Sequence, residues 1–104
     1  MNMQHMVLVD IDPEVENAFN AWYEDEHIPQ ILACPGWLSA SRWICLEGGP
    51  KYVALYEISG PEAYDTTEFD AIRGFGPFET HISNFRRIRL GPLRNLQSQT
   101  RAAE

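Results

Sequence analysis

The side chains best suited to chemistry in this chain crowd into one stretch, Trp22-Tyr23-Glu24-Asp25-Glu26-His27-Ile28-Pro29. It holds two large aromatics, three carboxylates and a histidine, and it runs into a helix-breaking proline. His27 lies four residues after Tyr23 and three after Glu24, so a regular helix puts the three on one face. They are the expected catalytic trio. Asp25 and Glu26 point elsewhere in a helix and read as solvated helix-end carboxylates. An imidazole titrates near neutral pH. His27 therefore suits a general acid/base that moves a proton at a carbon beside a carbonyl, with Tyr23 donating or orienting a hydrogen bond. The competing reading makes His27 the cap of a helix end, where the dipole favours its cationic form.

Further candidates for a substrate pocket are spread along the chain. Trp22, Trp43, Tyr56, Phe75 and Phe78 can line an aromatic-accepting cavity or serve as core and interface contacts. His5 lies on the first apolar run, and His81 precedes the last one, close to the Gly74–Phe78 loop. Asp10 has the opposite strand parity to His5, so the two should not pair. Arg87 shares a strand face with Phe85 and Arg89 and is suited to a bidentate hold on a carboxylate, or to surface and inter-subunit pairing. No GxGxxG, P-loop or Gly-x-Ser-x-Gly occurs. The three histidines and the cysteines Cys34 and Cys45 have no metal-ligand spacing, so neither metal nor cofactor is expected.

These residues need a scaffold, and 104 residues make a single domain, taken as 1–94 with a mobile polar tail at 95–104. Fifteen acidic residues against eight basic ones give a net charge of −7, which argues against nucleic acid or an anionic membrane as partner. The N-terminus has no basic n-region and no long apolar run, and the cysteines read as reduced thiols, so a cytoplasmic protein is expected. Apolar, β-branched runs predict strands over 4–11, 37–46, 51–58 and 82–90. Asp12-Pro13 reads as an N-cap and first helical position. Val15, Ala18, Phe19 and Trp22 give the following helix one apolar stripe. Pro29 should interrupt that helix and place Ile28 at a break, with one more turn at 31–33 before Cys34-Pro35-Gly36. Glu47-Gly48-Gly49-Pro50 joins the middle strands as a hairpin. A second helix starts at Ser59-Gly60-Pro61-Glu62, carries Ala63, Tyr64, Phe69 and Ile72, and has Thr66-Thr67 as its weak point. Gly74-Phe75-Gly76-Pro77 reads as a loop with exposed aromatics.

The order is β-α-β-β-α-β, an α+β ferredoxin-like fold with a four-stranded antiparallel sheet and two helices on one face. The other sheet face also carries bulky apolar residues, and a C2 homodimer packed sheet to sheet is the economical way to cover it.

The run Phe19-Asn20-Ala21-Trp22-Tyr23-Glu24-Asp25-Glu26-His27-Ile28-Pro29 resembles the dimeric α/β-barrel superfamily. Within it, the run is similar to the branch of small bacterial proteins related to the ethyl tert-butyl ether degradation (EthD) family. Pro35-Gly36-Trp37-Leu38-Ser39-Ala40-Ser41-Arg42 and Pro50-Lys51-Tyr52-Val53-Ala54-Leu55-Tyr56-Glu57 support the resemblance, which covers most of residues 5–58. It implies a dimeric barrel. It implies less about reaction, since relatives include cofactor-free cyclases, isomerases, dehydratases and monooxygenases as well as members of no known activity. In polyketide-cyclase relatives a histidine near the start of the first strand helps line the cavity, a position His5 matches.

Two functions are therefore expected as alternatives. The first is a cofactor-independent lyase, isomerase or cyclase acting on an apolar, aromatic or cyclic carbonyl compound, with His27 as acid/base. The second is a non-catalytic ligand-binding or interaction module on the same dimeric barrel. A cavity of a few hundred Å3 with His27 in its wall favours the first.

Overall fold

The structure is a computed structural model that describes residues 2–94. The tail expected to be mobile, 95–104, lies outside the described residues. Strand β1 (Met3–Ile11) is followed by a helical run. The run comprises a 3-10 turn at Pro13–Val15, α1 (Glu16–Trp22), a π turn at Tyr23–His27, and α2 (Ile28–Leu32). Strands β2 (Trp37–Ile44) and β3 (Tyr52–Ile58) form the hairpin. A 3-10 turn at Pro61–Asp65, α3 (Thr67–Ile72) and another 3-10 turn at Gly76–His81 lead to β4 (Ile82–Leu90). The sheet is antiparallel with order β2-β3-β1-β4, the ferredoxin-like topology expected from the order of elements.

Two local readings are corrected. Asp12 makes no side-chain cap. Its carboxylate meets Nδ1 of His81 at 3.0 Å, so it ties the helix entry to the start of β4. Nor does Pro29 break the helix: Ile28 keeps helical angles (φ −61°, ψ −46°), and its N–H reaches back five residues to the carbonyl of Tyr23. A proline has no N–H to give and crowds the carbonyl four residues before it. The wide π turn just upstream relieves that conflict, so the helix continues through the proline. The second helix does divide where two threonines stand, and Thr66 Oγ1 caps α3 by accepting the N–H of Phe69 at 3.1 Å.

Two irregularities in strand pairing decide which side chains face the helices. Trp37 pairs with Ile58, but Ser39 pairs with Glu57 and Ala40 with Tyr56, so β2 holds one extra residue there. Trp37 consequently turns towards the helices, while Trp43, of the same parity, turns to the open side of the sheet and is 59% exposed. A second shift separates Leu8↔Arg86 from Asp10↔Ser83, beside Asn84 at φ 54°. It lets both Ile82 and Arg87 face the helices.

The core lies between sheet and helices, around Phe19, Tyr56 and Ile58, each under 2% exposed. Of the expected stripe on the first helix, Phe19 is buried, Val15 and Trp22 are half-buried, and Ala18 faces solvent. The buried hydrophobic set also takes in Tyr23 and Phe75, so the loop aromatic Phe75 is inside, against the expectation of exposure. Gly36 closes the turn into β2 at φ +88°, where an added Cβ would stand 2.8 Å from Cβ of Ala63. We expect Gly36→Ala to lower unfolding free energy by more than ~1 kcal/mol. The change would be read as a shift in the urea midpoint without a change in slope.

Candidate functional site

A cavity of about 350 Å3 opens between the sheet and the helical layer. His5 and Val7 of β1, Trp37 of β2 and Tyr56 of β3 form its floor. The π turn and α2 supply one wall through Tyr23, His27 and Ile31; Tyr64 and Phe69 supply the opposite one. Phe75, Phe85, Arg73, Arg87 and Glu79 complete the lining together with Gly74 and Ile82.

The π turn sets the posture of His27. In a regular α-helix, residues five apart stand roughly 140° around the axis from each other. Here the extra residue closes that angle, and the ring of His27 stacks on Trp22 at 4.6 Å and 16°. Tyr23 meets the same imidazole edge-on at 5.0 Å. Gly76, at φ +50°, gives Trp22 its room, because a Cβ there would lie 2.9 Å from the indole. His27 is only 4% exposed, and its Nδ1 has no hydrogen-bond partner among the described residues. Burial brings its pKa down to about 4, so the ring is neutral at pH 7. The reading of His27 as a cationic helix cap is thereby corrected: it lies inside a continuous helical run and is uncharged.

Glu24 does not join it. Its carboxylate points outward and takes Arg42 at 3.0 Å. Arg42 is also held by Oδ1 of Asn20 at 2.9 Å, and its guanidinium lies 4.7 Å from the centroid of Tyr23's ring. Glu24 thus reaches the cavity only indirectly, through a cation packed behind Tyr23. The phenol of Tyr56 donates to that of Tyr23 at 3.2 Å. Burial pushes the pKa of both phenols up, so both remain protonated. Tyr23 is left as the end of a short relay at the cavity wall.

His5 faces the cavity from the floor. Its Nδ1 lies 2.9 Å from the hydroxyl of Tyr64, and Trp37 meets its ring edge-on at 5.2 Å. Burial, followed by the charges of Arg89, Arg87 and Arg73, brings its pKa down to about 4. Asp10 lies across the sheet, where it accepts Lys51 N–H and Asn84 at 2.8 Å each, so it does not pair with His5.

Among the expected pocket residues, His5, Tyr56, Phe75 and Arg87 line the cavity. Trp22 acts from behind His27, and Phe78 packs on Phe19 and Trp22 at 5.5 Å. Trp43 is outside, carried there by the β2 bulge, and His81 is occupied by Asp12. Sequence reasoning did not assign Trp37, Tyr64, Phe69 or Arg73 to the site. Tyr64 and Phe69 were visible only as helix-stripe residues, and Arg73 carried no signal. Among the described residues, no group of three His, Cys, Asp or Glu side chains is placed to hold a metal ion. Nor is any helix among them long and apolar enough to cross a membrane.

A family described only as a domain of unknown function (DUF4286) matches residues 3–75. No curated protein sequence matches the chain closely enough to count as a relative. Solved structures share the fold. An antibiotic biosynthesis monooxygenase superimposes with a TM-score of 0.69 at 13% identity, over 88% of this chain and 99% of that one. An EthD family protein from Bacillus halodurans gives 0.60 at 16%, over 84% and 96%. The heme-degrader MhuD from Mycobacterium tuberculosis, with two hemes bound in its active site, gives 0.65 at 9%, over 91% and 99%. At these identities the likeness establishes the fold of the single chain, which bears out the ferredoxin-like α+β architecture expected from the order of elements, and leaves the chemistry to the site itself.

The two buried histidines make stability depend on pH. Their folded pKa values, about 4, lie below the ordinary value of 6.5. Between those values the unfolded chain binds more protons, so stability is full above the upper one and declines as pH falls through the window. The melting temperature should drop between pH 6.5 and 4.5, and the double variant His5→Gln/His27→Gln should flatten that slope. Proton NMR should show both imidazoles still neutral at pH 5.

Proposed function

Since the chain belongs to the DUF4286 family, whose description assigns no reaction, we propose a function from the cavity itself: a cofactor-independent enzyme that moves a proton on an apolar, aromatic or cyclic carbonyl compound. The observation that carries this reading is a ligand-sized cavity with a neutral imidazole and a protonated phenol side by side in its wall. The aromatic lining takes the ring of the substrate. Tyr23, backed by the hydroxyl of Tyr56, donates to the carbonyl oxygen. His27 accepts the proton from the neighbouring carbon, and the electron pair of the broken C–H bond moves onto the oxygen as an enolate. The imidazolium then returns the proton, to the same or a conjugated carbon, and the enolate collapses to the carbonyl. Isomerase, cyclase and lyase chemistry share this first step.

The low basicity of His27 requires the compensating charge. An imidazole with a pKa near 4 is a weak base at neutral pH. The enolate formed beside it stabilises the imidazolium, and hydrogen-bond donors in a water-poor cavity stabilise the enolate. Glu24 has no direct part in this scheme. It holds Arg42 behind Tyr23, and Arg42 opposes the burial effect on that phenol.

The alternative is a ligand-binding module without turnover. It is favoured by Nδ1 of His27, which has no partner among the described residues, because catalytic imidazoles are commonly oriented by a second hydrogen bond. Hydrogen–deuterium exchange at the activated carbon of 2-tetralone in D2O separates the two. The enzyme reading requires exchange above the buffer rate, flat above pH 5.5 and falling through about pH 4. His27→Gln should lower it by roughly 100-fold or more with the melting temperature retained. Binding without any exchange would leave the module reading.

We also propose that the working form is a homodimer joined through the open sheet face. Met6, Leu8, Val53, Leu55, Ile88 and Leu90 share that face with Trp43. Leu90 and Trp43 are 46% and 59% exposed in the single chain, which makes an apolar patch a second copy would cover. Light scattering should give twice the chain mass, and Trp43→Asp should shift it towards the monomer.

A further inference from the structure

The guanidiniums around the cavity stand out against the charge of the whole chain. Acidic residues outnumber basic ones by fifteen to eight, yet Arg73 and Arg87 both line the cavity, one from just beyond α3 and the other from β4. Arg89 lies beside it, 3.9 Å from the centroid of Tyr64's ring. Among the described residues Arg87 has no ion-pair partner, and Arg73 meets only the exposed Asp70, at 4.0 Å. The single carboxylate in the lining, Glu79, already accepts the N–H of Phe75 at 2.7 Å. Two positive groups and one negative group leave the lining with a surplus of one positive charge. A concave site with low-dielectric walls focuses such a surplus on whatever enters it.

We propose that the ligand of this cavity carries one carboxylate, bound by Arg73 and Arg87, while its ring fills the aromatic interior. This rests on the cavity being a ligand site, as argued above. The fork of a guanidinium matches the two oxygens of a carboxylate, and two such forks on different elements fix the ligand's orientation as well as its charge. The rest of the lining is suited to the remainder of the molecule: rings for a ring, and the neutral donor Tyr23 beside the neutral imidazole of His27 for an uncharged carbonyl group. Aromatic or cyclic oxo-acids are therefore the substrate class, in preference to neutral ketones and lactones. Charge at His5 follows from the same placement. The guanidiniums of Arg73, Arg87 and Arg89 all oppose its protonation, and a bound carboxylate cancels part of that opposition.

Calorimetric titration of the intact protein with 2-naphthoate and with neutral 2-naphthol, at matched pH and salt, tests this. The native protein should bind the carboxylate at least tenfold more tightly, and the preference should shrink as salt is raised. Arg87→Gln and Arg73→Gln should each remove most of the preference while naphthol binding stays as it was. Arg86→Gln, on the opposite sheet face, should keep the full preference. Naphthoate, and not naphthol, should raise the NMR titration midpoint of His5. Equal affinity for the two rings in the native protein, or a preference that survives the Arg73→Gln/Arg87→Gln double variant, overturns the carboxylate assignment and leaves the cavity reading standing. Failure of both rings to bind overturns the cavity reading, and this inference with it.

Discussion

The stack of Trp22 on His27 is the contact on which the site depends. It exists because one turn of helix is wound with an extra residue, so that positions five apart face each other. An aromatic pair of this kind contributes about 0.5–1.5 kcal/mol beyond burial, too little to hold a fold but enough to fix one ring among rotamers. Its consequences spread outward. Trp22 is seated against Gly76 and Phe78, so the loop before β4 becomes part of the support for the imidazole. The same turn carries Tyr23 to the cavity and Glu24 away from it. The helix then continues through Pro29 and delivers Ile31 to the cavity wall.

The electrostatics of the interior follow from burial more than from pairing. His5 and His27 are neutral and the tyrosines protonated because desolvation penalises every charged form there. The charges are displaced to the margin. Arg42 lies behind Tyr23 under Glu24, while Arg73 and Arg87 take part in the lining itself. Neutral imidazoles and phenols thus occupy the interior of the cavity, and the cations stand at its boundary.

Much of the scaffold was legible in the chain. Alternation and β-branching located all four strands, and β4 runs from Ile82 to Leu90 as expected. Pro35-Gly36 and the two threonines marked real boundaries, since each acts through its own backbone or hydroxyl. His27 and Tyr23 were identifiable as neighbours because positions four apart meet in any helical winding near 3.6 residues per turn. Trp43 and Trp37 show where that reading stops. A single inserted residue in β2 sends one outward and the other into the cavity, and local composition gives no sign of it. Glu24 failed in the same way, since the three-residue rule assumes an α turn and this turn is a π turn.

The amino-acid sequence by itself determined the order of elements and the sheet, and it singled out His27 as a candidate. These depend on short-range periodicity and on the stereochemistry of Gly, Pro and Thr. Only the tertiary structure decided which face each aromatic takes, that His5 and His27 are both uncharged, and that Arg73 and Arg87 belong to one cavity. Those properties arise from bulges, from desolvation and from the cavity that brings the end of α3 and β4 to one lining. Each depends on residues far apart in the chain, whose mutual distances no local pattern records.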